Sequence, residues 1–144
     1  MNNRMLAMLA YAGTLPFVGS AALTIFGIDT VPTLGSGPQI AAAWALTIAS
    51  FIAGVHWGQY LSNGARAGIM LAIVSNAIAI LGWLAFLALP LRFALLAFAA
   101  LFAILLLIDR RLHEAGFIGP GYWRTRLGVT LVVVAALLVT AVFA

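Results

Sequence analysis

Five apolar runs, residues 5–27, 40–61, 67–89, 93–108 and 127–143, separated by short polar breaks, constrain this chain more than any other feature. Crossing the hydrocarbon of a bilayer takes about 20 helical residues, within a range of about 17 to 25. The first three runs meet that length. The last two reach it as 91–108 and 126–143, by drawing in Leu91 and the arginines Arg92 and Arg126, the two guanidinium groups snorkelling toward water. The pattern predicts an all-α membrane protein, a five-transmembrane-helix bundle forming a single domain over residues 1–144.

Composition agrees. Of 144 residues, 65% are hydrophobic and 7% charged, whereas soluble domains carry about 25% charged residues. With no cysteine, disulfides, thiolate metal sites and a cysteine nucleophile are excluded. The net charge of +4 comes from arginines placed at segment ends. Nucleic acid is not an expected partner, because binding it needs basic residues gathered on one face.

The breaks fix the connections. "DTVPTLGSGP", residues 29–38, reads as a loop, and "SNGAR", 62–66, as a tight polar turn. "LPLR", 89–92, is so short that the third and fourth helices form an antiparallel hairpin. "DRRLHEAGFIGPGYWRTR", 109–126, is the longest polar stretch. The first run exceeds the 7 to 15 or so residues of a signal-peptide core, so it reads as a span.

Arg4, Arg66, Arg110, Arg111, Arg124 and Arg126 fall on one side of such a bundle, and Arg92 falls with Asp29 on the other. The positive-inside rule then predicts the N-terminus inside and the C-terminus outside. The corresponding location is a bacterial inner (plasma) membrane, multi-pass, or the mitochondrial inner membrane in a eukaryote.

At 1.5 Å per helical residue, His56 sits about 8 Å below the inner surface, Tyr11 about 9 Å and Asn76 about 13 Å. Asp109, Trp123 and Arg126 border the same leaflet. Together with Trp57 they outline a candidate polar pocket. His56 is expected to be neutral, to face inward and to bond Asn76, Ser75 or Tyr11, with Ala72, Asn76, Ala79 and Trp83 as the facing stripe. Ser50, Gly54 and Gly58 form a small-xxx-small seam opposite His56, a candidate helix-packing surface.

Each feature has a plainer alternative. A polar group in a membrane helix can be interhelical glue, worth about 0.6 kcal/mol, although an intramembrane ionisable residue points first to function. Trp57, Tyr60, Tyr122 and Trp123 suit an interfacial aromatic belt. Asp109 and His113 stand at i, i+4, but Arg110 and Arg111 beside them disfavour a metal, and haem would need a second intramembrane histidine. No nucleophile elbow, phosphate loop, zinc-protease motif or dinucleotide fingerprint is present. No catalytic or metal-binding residue is therefore assigned, while a quinone or lipid remains open as a ligand.

The segments "LAYAGTLPFV", "SFIAGVHWG", "SNAIAILGWLAFLALP" and "YWRTRLGVTLVVV" occur in the order found in the transmembrane protein 69 family, which the chain resembles along most of its length. That family comprises small polytopic membrane proteins grouped under a domain of unknown function. The resemblance implies that Gly54, His56, Trp57, Gly58, Trp83, Asp109, Trp123 and Arg126 are motif positions. It implies no reaction. The expected role is a non-enzymatic accessory or binding protein with an inner-leaflet pocket around His56, for a lipid, a quinone or a partner protein. A small oligomeric proton or solute carrier is the alternative, and a lipid- or quinone-modifying enzyme ranks third. Expected partners are the bilayer, a larger membrane complex or further copies of the chain.

Overall fold

The structure is a computed structural model and describes residues 3–144. Among the described residues it is helical: α1 (Asn3–Ala12), α2 (Leu15–Ile25), α3 (Gly37–Asn63), α4 (Ile69–Ala88), α5 (Leu91–Glu114) and α6 (Pro120–Phe143), with a 3₁₀ turn at Gly64–Arg66. Five segments are long and apolar enough to cross a membrane, α1 and α2 together making the first.

The first span is broken where one helix was expected. Pro16 lacks an N–H and its ring clashes with the carbonyl four residues back; that residue is Ala12, where α1 ends. Pro16 then sits in the first turn of α2, where its missing donor costs nothing. Trp44 Nε1 on α3 donates to the Gly13 carbonyl at 2.9 Å, satisfying an acceptor that the break would orphan.

α3 starts earlier than the apolar run suggests. Ser36 Oγ accepts from the Gln39 N–H at 3.3 Å, and the Ser36 N–H donates to Gln39 Oε1 at 2.9 Å. This capping box nucleates the helix at Gly37. A Cβ at Gly37 would lie 2.6 Å from Thr24 Oγ1 and 2.8 Å from the Ser20 carbonyl, so the glycine sets how closely α3 approaches α2.

α3 is central and packs on α2, α4, α5 and α6. Its buried face is Ala41, Ala42, Ala45, Ala49, Ile52, Ala53 and His56, and alanines let neighbouring backbones draw close. The expected seam lies elsewhere. Ser50 and Gly54 are exposed, Gly58 is half-buried, and Cβ atoms at Gly54 and Gly58 would meet nothing within 4 Å. Among the described residues the seam packs on no helix; the alanine face has that role.

α4 likewise turns a different stripe inward. Leu71, Ala72, Ser75, Ile78, Gly82 and Ala85 are buried, whereas Asn76 and Trp83 are exposed. The core runs through Phe17, Leu95, Phe98, Phe102, Leu105 and Leu137, with Phe17 edge-on to Phe102 at 5.9 Å.

The 109–126 stretch is mostly helix. α5 continues to Glu114 and α6 begins at Pro120, so both are longer than the expected 91–108 and 126–143. Most residues of this polar stretch are the ends of two spans.

Candidate functional site

Three core-facing stripes converge near the end of the bundle that carries Arg66, Arg110 and Arg124. On α3, His56 continues the buried face of Ala49, Ile52 and Ala53. On α5, Asp109 lies in register with buried Phe102, Leu105 and Leu112. On α6, Arg126 precedes Thr130, Val133 and Leu137 at helical spacing. Helical periodicity alone therefore turns one imidazole, one carboxylate and one guanidinium into the same interior.

They bond to one another. His56 Nε2 lies 2.8 Å from Asp109 Oδ1, and Arg126 Nε donates to Asp109 Oδ2 at 2.6 Å. His56 is 0% exposed, Asp109 1% and Arg126 7%. A carboxylate only accepts, so the His56–Asp109 bond places the ring proton on Nε2. Both carboxylate oxygens are engaged, and the aspartate and arginine charges cancel. Out of water, that cancellation is what makes the cluster tolerable.

The cluster is not fully satisfied. His56 Nδ1, Arg126 Nη2 and Thr130 Oγ1 are buried side-chain atoms without a hydrogen-bond partner among the described residues. Native interiors rarely leave such atoms unpaired. Arg126 and Thr130 are one turn apart on one face of α6, so an N–H and an O–H are presented side by side. In the neutral ring Nδ1 is an acceptor. Donors and an acceptor left free around a neutral ion pair suit a small polar group. Among the described residues no hydroxyl bonds Nδ1, unlike the base of a nucleophile–base pair in acyl-transfer chemistry.

An aromatic and aliphatic layer closes the cluster toward the arginine-rich end. Tyr60 is one turn beyond His56, Leu112 one turn beyond Asp109, and Tyr122 one turn before Arg126. All three pack into a second apolar cluster with Leu71, Phe117 and Ile118. Tyr122 is also within electrostatic reach of Asp109 and Arg126. Phe117 and Ile118 belong to the short α5–α6 loop, which is held by His113 Nδ1 against the Ile118 carbonyl at 3.1 Å.

The sequence-derived pocket separates accordingly. His56, Asp109 and Arg126 come together; Tyr11, Trp57, Asn76 and Trp123 do not join them. Tyr11 is 42% exposed, and its hydroxyl lies against the backbone of Gly128, where a Cβ would collide with it. Trp57 is 39% exposed and tilted against Tyr60 at 6.1 Å. Asn76 donates to the Ala72 carbonyl on its own helix at 3.2 Å. Ser75 is buried and donates to the same carbonyl at 2.8 Å. Trp123 stacks on His113 with centroids 5.7 Å apart. The expected partners of His56, Asn76, Ser75 and Tyr11, are thus replaced by Asp109. Asp109 and His113 diverge, one into the core and one to the loop. Thr130 was not singled out, although its spacing of four from Arg126 was a usable signal.

A family model described as "Protein of unknown function (DUF3429)" matches residues 2–142. The chain belongs to this family. The match covers every member of the His56–Asp109–Arg126 cluster in the DUF3429 chain, along with Thr130. No curated protein and no solved structure gives a significant match to it.

Proposed function

We propose that this DUF3429 protein is a non-enzymatic accessory or binding protein of a bacterial inner membrane, or of the mitochondrial inner membrane in a eukaryote. Within that family it is of the transmembrane protein 69 type. Its arginine-rich end faces the cytoplasm or matrix, with the N-terminus inside and the C-terminus outside. Its binding point is the His56–Asp109–Arg126 cluster, and its ligand is the polar head of a lipid or quinone, or a polar group of a partner membrane protein.

The observation that carries this role is the set of three unpaired buried atoms, His56 Nδ1, Arg126 Nη2 and Thr130 Oγ1. A cluster serving only to hold helices together gains nothing from leaving them unpaired. Access is through the Tyr60–Leu112–Tyr122 layer, which packs on Phe117 and Ile118 of the α5–α6 loop.

The rival role, a small oligomeric proton or solute carrier, draws on the same buried His56–Asp109 pair. It also needs a polar route through the far half of the bundle. Leu95, Phe98, Phe102 and Leu137 fill that half and are each no more than 1% exposed. Thr140, buried among them, donates to the Ala136 carbonyl of its own helix. The binding role fits this packing better.

Thr130→Val tests the proposal, because it removes an unpaired hydroxyl while keeping the shape of the side chain. Native mass spectrometry of protein extracted in polymer discs should show a bound mass on the wild type. Thr130→Val should lose most of it without any loss of thermal stability. Wild-type protein carrying no bound mass, or a variant retaining it in full, overturns the binding role.

A further inference from the structure

Seven arginines are distributed over the chain, and six have a protein partner. Arg126 bonds Asp109 and Arg110 bonds Glu114. Arg124 donates to the Pro120 carbonyl, and Arg92 to that of Ala144. Arg66 lies over the Phe117 ring, and Arg4 is also engaged. Among the described residues, Arg111 is the arginine left without one.

Its position gives that freedom a meaning. Arg111 stands at the rim of a groove of about 460 Å³ between α4 and α5. The groove is walled by Val74, Ile104 and Ile108, with Arg110 and Glu114 beside Arg111 at its mouth. Ile104, Ile108 and Arg111 follow one another at i, i+4, i+7, so one stripe of α5 runs from apolar wall to cation. α4 and α5 each pack more closely on α3 than on one another, which leaves the groove open along its length. At the mouth, Arg110 and Glu114 cancel in their exposed pair, and Arg111 leaves one net positive charge.

We infer that this groove binds an anionic glycerophospholipid of the leaflet at the arginine-rich end, its acyl chain along Val74, Ile104 and Ile108 and its phosphate on Arg111. A basic pocket between transmembrane helices at the headgroup level is the form such sites take. A zwitterionic lipid fits less well, because its ammonium group would meet the same single positive charge. The groove lies on the α4–α5 face, apart from the buried His56 cluster, so the inference does not rest on the ligand proposed for that cluster.

The test compares purified full-length protein titrated with phosphatidylglycerol and with phosphatidylcholine, read by native mass spectrometry and thermal shift. Soluble glycerol phosphate serves as the control for headgroup charge without an acyl chain. Wild-type protein should prefer phosphatidylglycerol and ignore glycerol phosphate. Arg111→Gln should reduce that preference about fivefold, the factor expected of one arginine at an anionic surface. Ile104→Trp, which fills the groove from an exposed position, should weaken both lipids. Arg124→Gln, an exposed arginine at the same end, should change neither. No lipid preference in the wild type overturns the inference. So do equal losses in Arg111→Gln and Arg124→Gln, full binding by Ile104→Trp, or glycerol phosphate binding as well as the lipid.

Discussion

Asp109 holds both neighbours of its cluster, one on each carboxylate oxygen, so its removal and its replacement have opposite consequences. Asp109→Ala leaves the Arg126 guanidinium buried without a counter-charge, a change that costs about 3 to 5 kcal/mol. Replacing the pair by apolar side chains of similar volume, Asp109→Leu with Arg126→Met, removes both charges together. The double variant should recover most of the loss in thermal unfolding in mild detergent, short of what the unpaired His56 N–H still costs. A single variant that loses less than about 1 kcal/mol would show the site to be solvated instead. All three members of this cluster were visible in the sequence as polar residues near one leaflet, but their pairing was not. Asp109 read as the end of a span because the apolar run stops at Ile108. The buried stripe of Phe102, Leu105, Asp109 and Leu112 continues regardless of polarity. Asn76 looked like the partner of His56 because its depth matched, and depth says nothing about which way a helix is rotated.

At the scale of elements, the number of spans was legible because hydrocarbon thickness sets a length that five apolar runs meet. Helix faces were less so. In water the buried face of a helix is its apolar one, but α3 and α4 are apolar all round and lipid accepts any such face. Glycine at a spacing of four looked like a contact on α3, and the alanines one face away make it instead. Gly54→Leu and Gly58→Leu should therefore unfold within about 0.5 kcal/mol of wild type when the protein is kept monomeric in detergent. Gly37→Ala should destabilise by about 1 to 3 kcal/mol, since its Cβ would press on the Ser20 backbone, which cannot rotate away. Thermal melts of the three variants side by side decide the matter. A large loss in either leucine variant would return the seam to the core. The break at Gly13 was half legible, Pro16 giving its place and Trp44 the reason it is tolerated.

For the whole molecule, the arginine distribution is what the proposed topology rests on. Six arginines lie at the end that carries the α3–α4 and α5–α6 turns, and Arg92 at the other beside the C-terminus. A reporter fused after Ala144 should be active outside the membrane and silent inside. The converse result would invert the proposed topology and place the Arg111 groove in the opposite leaflet.

The spacing of the cluster along the chain has a consequence in time. Asp109 and Arg126 are 17 residues apart, whereas His56 precedes Asp109 by 53. A ribosome therefore delivers the imidazole first, the carboxylate much later, and the guanidinium only with the final helix. Until α6 arrives, a nascent chain has His56 and Asp109 but not the arginine that pairs with the carboxylate. A message cut short before α6 yields a polypeptide that lacks both this ion pair and the helix that packs on α5. Only the completed chain can assemble the three-membered cluster.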